Sequence, residues 1–248
     1  MDLGLAGRRF AVTAGSRGLG FATAQALARD GARVLIAARD PDRTREAVDL
    51  LGPDALGIAL DLAAPGAPAT LAVTAREAWG ALDGLVVNVG GPAPGRSLEY
   101  SDEQWDAAIE GVLLASVRTV REMVPVLAPG AAILVILSTT VREPIAGLGA
   151  SNVLRPGLAM LVKELSRDLA PAIRVNGILP GRIATARTVA LDGADPASRR
   201  AQESVIPLGR YGDPEEFGRV AAFLVSPAAS YVTGSLVAVD GGLLHSPW

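Results

Sequence analysis

The sequence predicts an α/β fold of one domain, residues 1–248, built on a doubly wound parallel sheet of about seven strands with helices on both faces. Apolar, strand-like segments alternate with segments of helical periodicity along the chain. A glycine-rich loop also joins the first strand directly to a helix, which is typical of open parallel sheets. The 248 residues, half of them hydrophobic, are enough to bury one large core.

The composition argues against several classes of function. No apolar run approaches the roughly 20 residues that span a bilayer, and the first residues lack the basic-then-apolar order of a signal peptide. The absence of cysteine excludes disulfides and thiolate chemistry, and the single histidine, His245, argues against a histidine-based metal site. The net charge of −3 argues against a nucleic-acid partner. We therefore expect a cytoplasmic protein with no metal, nucleic-acid or membrane partner.

The loop between the first strand, Phe10–Val12, and the first helix, Leu19–Ala28, predicts a phosphate site. This geometry points backbone N–H groups and a helix N-terminus at a phosphate. Glycine is favoured there because a Cβ would hold the phosphate away and because only glycine adopts positive φ cheaply. A purely structural tight turn is the alternative. The candidate cofactor residues are Thr13, Gly15, Ser16, Arg17, Gly18, Leu19 and Gly20.

The second strand, Arg33–Ala38, ends at Arg39, where such sheets meet the adenosine ribose. An acidic residue there favours NAD, whereas an arginine can hold the 2′-phosphate of NADP. Arg17 could approach the same phosphate from the loop. We therefore expect NADP(H) to be preferred over NAD(H). Asp40 on a ribose hydroxyl, or two solvated surface arginines, is the alternative.

The next elements continue the alternation and bring more candidates to the same edge of the sheet. They are a helix over Pro41–Leu50, a strand over Ala55–Leu60, a helix over Ala67–Trp79 and a strand over Leu82–Val87. Asp61 and Leu62 follow the third strand, and Asn88 and Gly90 follow the fourth. These four residues are cofactor candidates, although Asp61 could instead cap a turn.

The second half of the chain adds two helices and the remaining strands. The pattern predicts a long helix over Ser101–Leu127, a buried strand over Ala131–Leu137, a helix over Asn152–Leu169, a strand over Ile173–Ile178 and a last strand from Val237. Ser138 stands at the carboxyl end of the buried strand. Ser151 is interpreted as the N-cap of the helix that follows, with Pro156 in its first turn.

These segments, in this order, resemble the short-chain dehydrogenase/reductase family over nearly the whole chain. The loop Thr13–Gly20 resembles the family's T-G-x-x-x-G-x-G, Asn176–Thr185 matches its N-x-x-x-P-G-x-I-x-T, and Ile206–Gly242 matches its closing run. Overall the chain looks most like 3-oxoacyl-carrier-protein reductases.

The resemblance implies a Rossmann-type fold and further cofactor residues, namely Pro180, Gly181, Ile183 and Thr185 near the nicotinamide. It also implies that Asp61 and Leu62 pack on the adenine and that residues 187–205 form a lid over the substrate. A homodimer or homotetramer is implied as well, through Val112–Ala115 of the long helix. Burial of that stretch against its own sheet is the alternative.

The catalytic group departs from the family pattern. Ser138 matches, but Val112, Ser151 and Arg155 stand where the family has asparagine, tyrosine and lysine. In the family the tyrosine transfers the proton while the lysine lowers its pKa and holds the ribose. A serine hydroxyl is not acidic enough near neutral pH, and an arginine stays protonated, so it can orient but not relay a proton. Ala14 also replaces the first glycine of the loop, where we expect Gly15 to restore flexibility.

Two functions follow from this sequence. One is NADP(H)-dependent reduction of a carbonyl compound of the 3-oxoacyl thioester type, or the reverse alcohol oxidation. The other is a catalytically impaired dinucleotide-binding protein, serving as a sensor or an inactive subunit.

An alternative chemistry is also open at the carboxyl edge of the sheet. Arg142, Glu143, Arg155 and Arg182 should lie there, which would favour an anionic substrate, with a partly desolvated Glu143 exchanging the proton. Pairing of Arg142 with Glu143 in solvent is the competing interpretation.

Overall fold

The computed structural model describes residues 2–192 and 196–246. Within these residues the strands are β1 (Arg9–Thr13), β2 (Arg33–Ala38), β3 (Ala55–Ala59), β4 (Leu82–Val87), β5 (Leu127–Ile136), β6 (Arg174–Pro180) and β7 (Leu236–Val239). The α-helices are α1 (Gly18–Arg29), α2 (Pro41–Leu51), α3 (Ala67–Trp79), α4 (Asp102–Ala108), α5 (Ala115–Met123), α6 (Gly149–Asp168), α7 (Ala186–Asp192), α8 (Pro196–Ser204) and α9 (Pro214–Val225).

The strands form one parallel sheet in the order β3-β2-β1-β4-β5-β6-β7. The chain therefore builds outward from β1 in one direction and returns to β4 to build in the other. This confirms the predicted doubly wound parallel sheet. The order in which the strands are added reverses between β1 and β4, and the carboxyl ends of these two strands leave a crevice there.

Both faces of the sheet are buried because its strands are apolar at nearly every position. On β1, Phe10 and Val12 pack in a core with residues of α1 and α9, whereas Ala11 packs in a second core with residues of α3 and α6. Alternate side chains of a strand point to opposite faces, so an apolar run with no alternation predicts cover on both sides. The helices on the two faces hold the strand ends, and hence the crevice, in place.

The predicted long helix over Ser101–Leu127 is helical from Asp102 to Val126, but it is not a uniform α-helix. Ser101 does cap α4, since its Oγ accepts from the Gln104 N–H at 3.3 Å and Gln104 Oε1 accepts from the Ser101 N–H at 2.9 Å. The helix then widens into a π segment, Ile109–Leu114, before α5, and the chain enters β5 at Leu127. Such π segments change the direction of the side chains that follow and are frequent near functional sites.

Helix α6 begins at Gly149, earlier than predicted, so the predicted N-cap role of Ser151 is wrong. The N-cap residue is Leu148, which has no side-chain group to bond the first N–H groups. The start is set by a tertiary contact, because the Gly149 N–H donates to the Gly95 carbonyl at 2.9 Å and a Cβ on Gly149 would lie 2.5 Å from the Ser97 nitrogen. Further along α6, Lys163 Nζ, the only lysine amine, donates to the Gly234 carbonyl at 3.3 Å.

The segment 187–205 is the predicted lid over the substrate. Its described part is helical, in α7 and α8, while residues 193–195 lie outside the described residues. The lid function stays a prediction. Over residues 2–192 and 196–246, no helix combines the length and the hydropathy needed to cross a membrane.

Candidate functional site

A crevice of about 1290 Å³ opens at the carboxyl edge of the sheet. Its lining includes Arg17 and Arg39, which follow β1 and β2, and also Arg187 and Leu244. Most of the residues predicted from the sequence line it, namely Ser16, Arg17, Gly18, Leu19, Arg39, Asp61, Leu62, Asn88, Gly90, Ser138, Glu143, Ser151, Arg155, Pro180, Gly181, Ile183 and Thr185.

Thr13 lies behind the crevice wall and holds two of its strands together. Its Oγ1 donates to the Asn88 carbonyl at 2.6 Å and accepts from the Asn88 N–H at 2.8 Å. The hydroxyl thus joins the ends of β1 and β4, where the sheet reverses direction. Thr13 therefore positions the site from below and does not line it.

Ala14 adopts the backbone conformation that the family reserves for glycine, with φ at 45°. The expectation that Gly15 restores flexibility is wrong, because Gly15 does not take positive φ. Gly15 is needed for space, since a Cβ there would lie 2.8 Å from Ile36 Cγ2. Gly20 has the same role, because its Cβ would lie 2.3 Å from the Ala14 carbonyl oxygen.

The N-terminus of α1 fits a phosphate group. Arg17 is the N-cap residue and its side chain makes no capping bond. The first bond within the helix runs from the Phe21 N–H to the Arg17 carbonyl at 3.3 Å, so the amides of the first turn are free of helix partners. Gly18 and Leu19 also line the crevice. Free amides and a helix dipole at a glycine turn are what a dinucleotide phosphate requires.

Arg17 and Arg39 are exposed in the crevice and, within the described residues, neither side chain forms a hydrogen bond or an ion pair. Asp40, by contrast, is engaged at the start of α2. Its Oδ1 accepts from the Asp42 and Arg43 N–H groups, both at 3.1 Å, and its Oδ2 lies 3.3 Å from Arg43 Nε. The two free guanidiniums are available to an external anion, whereas the carboxylate is occupied.

Asp61 is also engaged, as the turn cap that was the alternative for it. Its Oδ1 accepts from the Ala63 N–H at 3.1 Å. Leu62 is buried next to it, and both residues line the crevice.

Ser138 and Ser151 lie in a small group of hydroxyls at the end of β5. Ser138 Oγ accepts from the Thr140 N–H at 3.2 Å, and Thr140 Oγ1 lies 3.1 Å from Ser151 Oγ. Thr140 and Ser151 are buried. The sequence did not single out Thr140, although its position just after Ser138 was a signal. No carboxylate or imidazole bonds to Ser151 in the described residues, so nothing there activates its hydroxyl.

Arg155 is a buried cation at the base of the crevice, 7% exposed. Its Nη1 donates to the Ile136 carbonyl at 2.8 Å and to the Leu137 carbonyl at 2.9 Å. Burial lowers the pKa of Arg155 to about 10, with a smaller contribution from the charge of Arg187. Arg155 therefore remains protonated at neutral pH.

The other donors of Arg155 have no partner among the described residues. Across the described residues, every fully buried side-chain nitrogen or oxygen has a hydrogen-bond partner. Nε and Nη2 of Arg155 have no protein partner there, so they are not fully buried, and the residue lines the crevice. These N–H groups are available to a ligand.

Arg187 lines the rim of the crevice, where the sequence placed only a lid. Its Nη1 donates to the Gly91 carbonyl at 3.2 Å and its Nη2 to the Pro92 carbonyl at 2.8 Å. Partial desolvation lowers its pKa. The one available signal was its place two residues after Thr185, at the end of the family-like segment.

Arg142 and Glu143 do not pair with each other, and each is engaged elsewhere. Arg142 Nη2 donates to the Leu236 carbonyl at 3.0 Å. Glu143 Oε1 accepts from the N–H groups of His245 and Ser246 at 2.7 and 2.6 Å. The bond from the Ser246 N–H lowers the pKa of Glu143, with smaller contributions from His245. Proton exchange near neutral pH would require a raised pKa, so this geometry argues against that role.

Together, the reversing parallel sheet, the uncapped glycine-rich helix start and the crevice define a nucleotide-binding α/β protein. Residues 13–244 match the sequence profile of the family described as enoyl-(acyl carrier protein) reductase. An uncharacterized oxidoreductase of Mycobacterium tuberculosis is 38% identical over 238 residues, which cover 94% of this chain and 90% of the relative. The chain belongs to the short-chain dehydrogenase/reductase family.

Solved structures of similar proteins agree with this assignment. The L-sorbose reductase of Gluconobacter frateurii, complexed with NADPH and L-sorbose, is 32% identical with a TM-score of 0.92, covering 99% of this chain and 100% of its own. An NADPH-bound short-chain oxidoreductase of Pseudomonas aeruginosa, described as containing an atypical catalytic center, is 32% identical with a TM-score of 0.89, covering 96% and 97%.

Proposed function

We propose that this protein is an NADP(H)-dependent oxidoreductase that reduces a carbonyl compound or oxidises the corresponding alcohol. The observation that carries the proposal is the pair Arg17 and Arg39. Both line the adenosine end of the crevice without partners in the described residues, while the neighbouring Asp40 is occupied by the start of α2. Two free guanidiniums next to an occupied carboxylate favour a 2′-phosphate over a ribose hydroxyl.

The residues present fit the cofactor along the length of the crevice. The amides at the start of α1 would hold the pyrophosphate, and Pro180, Gly181, Ile183 and Thr185 would border the nicotinamide. When bound, the cofactor supplies or accepts a hydride.

The chain's own residues would act on the carbonyl oxygen. As the carbonyl carbon gains a hydride, negative charge develops on this oxygen. The hydroxyl of Ser138 and the free N–H groups of Arg155 are the donors that would stabilise it. The proton that completes the alcohol would come from water, because neither Ser151 nor Arg155 releases one near neutral pH. Electrostatic stabilisation thus replaces the tyrosine and lysine of the family.

A 3-oxoacyl thioester is the first substrate to test, on the strength of the sequence resemblance. The crevice is large enough to hold a small-molecule or acyl-thioester substrate next to the cofactor.

A second function is supported by the hydrogen bonding of the Ser151 hydroxyl. Because its Oγ is bonded to Thr140 in a buried position, it lacks the activation that a proton donor needs. A dinucleotide-binding protein without turnover, acting as a sensor or an inactive subunit, has the same crevice. Turnover assays on 3-oxoacyl thioesters and a wider carbonyl panel separate the two functions.

Calorimetry of NADPH and NADH with the wild type and Arg39→Ala tests the cofactor assignment. We expect the wild type to prefer NADPH, and the variant to bind it about 10- to 100-fold more weakly, because one charge-assisted contact is lost. NADH affinity should be unchanged. Arg45→Ala removes an exposed arginine of α2 that does not line the crevice and serves as the control. Equal affinity of the wild type for the two cofactors would refute the preference.

A further inference from the structure

We infer that the substrate of this protein carries a carboxylate or a similar anionic group, recognised by Arg187 at the rim of the crevice above the buried Arg155. This inference rests on the proposed function and deepens it, because it names the class of substrate.

The first support is the position of the two guanidiniums. Arg155 lies at the base of the crevice and presents Nε and Nη2 to it, next to the carbonyl groups that precede Ser138. Arg187 lines the same crevice and is held by the Gly91 and Pro92 carbonyls. Both side chains are held by backbone carbonyls, so their positions are set before a ligand arrives.

The second support is the absence of counter-charge. Among the described residues, no carboxylate pairs with Arg155 or Arg187. The acidic residues that line the crevice are Asp40, Asp61 and Glu143, and each is engaged by backbone N–H groups. A buried guanidinium without an acidic partner is costly, and an anionic ligand would remove that cost.

The third support is the interaction between the two cations. After burial, the charge of Arg187 is the second cause of the lowered pKa of Arg155, as expected for two cations that line one crevice. An anionic group bound by Arg187 would offset the positive charge of both guanidiniums and leave the N–H groups of Arg155 to the carbonyl oxygen. We expect the cofactor phosphates to be held instead by Arg17, Arg39 and the start of α1.

A matched pair of probes tests the inference: 4-oxopentanoate and its methyl ester, which share the ketone and differ in charge. Their dissociation constants are measured by calorimetry, with and without saturating NADP⁺, because a ketone cannot be reduced by the oxidised cofactor. We expect the acid to bind the wild type at least about tenfold more tightly than the ester. Arg187→Gln should abolish this preference, and Arg187→Lys should keep part of it because the charge remains.

Arg219→Gln is the matched control, since it removes an exposed arginine of α9 that does not line the crevice. It should leave the preference for the acid unchanged. Equal binding of the two probes, no detectable binding of the acid, or a full preference for the acid in Arg187→Gln would each overturn the inference. The affinity for NADPH tests the proposed function independently of the two probes. If NADPH binds and the acid does not, only the anionic substrate is wrong, and if NADPH fails to bind, the cofactor proposal is wrong.

Discussion

Ala14 carries a cost that no other non-glycine residue in the described chain carries. It is the one such residue with positive φ there, at 45°. A left-handed conformation costs an L-residue about 1–2 kcal/mol, because Cβ crowds the neighbouring carbonyl. The loop is tightly packed on both sides of Ala14, because neither Gly15 nor Gly20 has room for a Cβ. This packing holds Ala14 in the left-handed conformation.

Ala14→Gly should therefore stabilise the protein. Part of the relieved strain is offset by the greater freedom of glycine in the unfolded chain, so we expect a gain of about 0.5–1 kcal/mol in the free energy of unfolding. Urea denaturation measures it. Ala26→Gly, inside α1, is the control and should instead lose about 1 kcal/mol. A destabilised Ala14→Gly protein would show that Ala14 is not strained.

The carboxylate of Glu216, near the start of α9, makes the stability of the protein depend on pH in the acid range. Its carboxylate accepts from Arg210 Nη1 and Nη2, both at 2.8 Å, and from the Asp213 N–H at 2.8 Å. The Arg210 bond and then the Asp213 bond lower the pKa of Glu216 to about 2. The folded-state pKa lies below the ordinary value of 4.5. The carboxylate thus adds stability above that value, and the stability is lost as the pH falls through the folded-state pKa.

Glu216→Gln should thus be less stable than the wild type at pH 7, and the difference should vanish towards pH 2. Denaturant unfolding across this pH range measures it. Glu164→Gln is the control, because Glu164 is exposed on α6 and forms no hydrogen bond or ion pair within the described residues. A pH-independent difference for Glu216→Gln would mean that its charge is irrelevant.

At the scale of elements, α6 presents both altered catalytic positions, Ser151 and Arg155, to the crevice one helical turn apart. Side chains four residues apart share a face, so the double variant Ser151→Tyr/Arg155→Lys would restore the family's proton-transfer pair on that face. We expect kcat/KM for a carbonyl substrate to rise at least about tenfold. Steady-state kinetics with NADPH measure the change.

Arg155→Lys alone is the control and should bring no gain, because a lysine without the tyrosine has no hydroxyl to activate. An unchanged kcat/KM in the double variant, with NADPH affinity intact, would show that more than the missing pair limits catalysis.

Elements with a strong local signal were predicted well from the sequence. The bounds of β2, β4 and α3 agree with the prediction, because uniform apolar runs and flanking glycines mark them. The start of α6 could not be predicted, because Leu148 offers no polar cap and the tertiary contact of Gly149 with Gly95 and Ser97 sets it.

The candidate site divides in the same way. Residues at strand ends, such as Asn88 and Ser138, reach the crevice as expected, because the carboxyl ends of parallel strands share one edge. Arg187 was missed because its position depends on bonds to the Gly91 and Pro92 carbonyls, which are remote in sequence. Arg142 does not line the crevice for a similar reason, because its side chain is bonded to the Leu236 carbonyl, which is remote in sequence.

At the scale of the whole molecule, we propose a homodimer or homotetramer, with α6 as the contact surface. Within the stretch Val112–Ala115, where the sequence placed the contact, Val112 and Ala115 are buried in their own core and the two leucines between them are half-buried. Val153 and Met160 of α6 remain 55% and 70% exposed. Two apolar side chains seven residues apart lie on one stripe of a helix, as helix contacts between subunits do.

Met160→Glu should therefore shift the protein towards monomers, because a charge would be buried in the contact. Sedimentation velocity at micromolar concentration measures the shift. Leu50→Glu is the control, since Leu50 is 72% exposed on α2, away from α6. A monomeric wild type, or an unchanged Met160→Glu assembly, would reject α6 as the contact.

Lys163, whose Nζ donates to the Gly234 carbonyl, is the one side chain of this protein that amine chemistry can label. Because Lys163 is the only lysine, an amine-reactive dye labels one side chain, at the junction of α6 with the segment before β7, once the α-amino group, which has the lower pKa, has been blocked near neutral pH. The dye would sit on the same helix as Ser151 and Arg155. Its fluorescence would report, without any engineered cysteine, whether filling the crevice moves that helix.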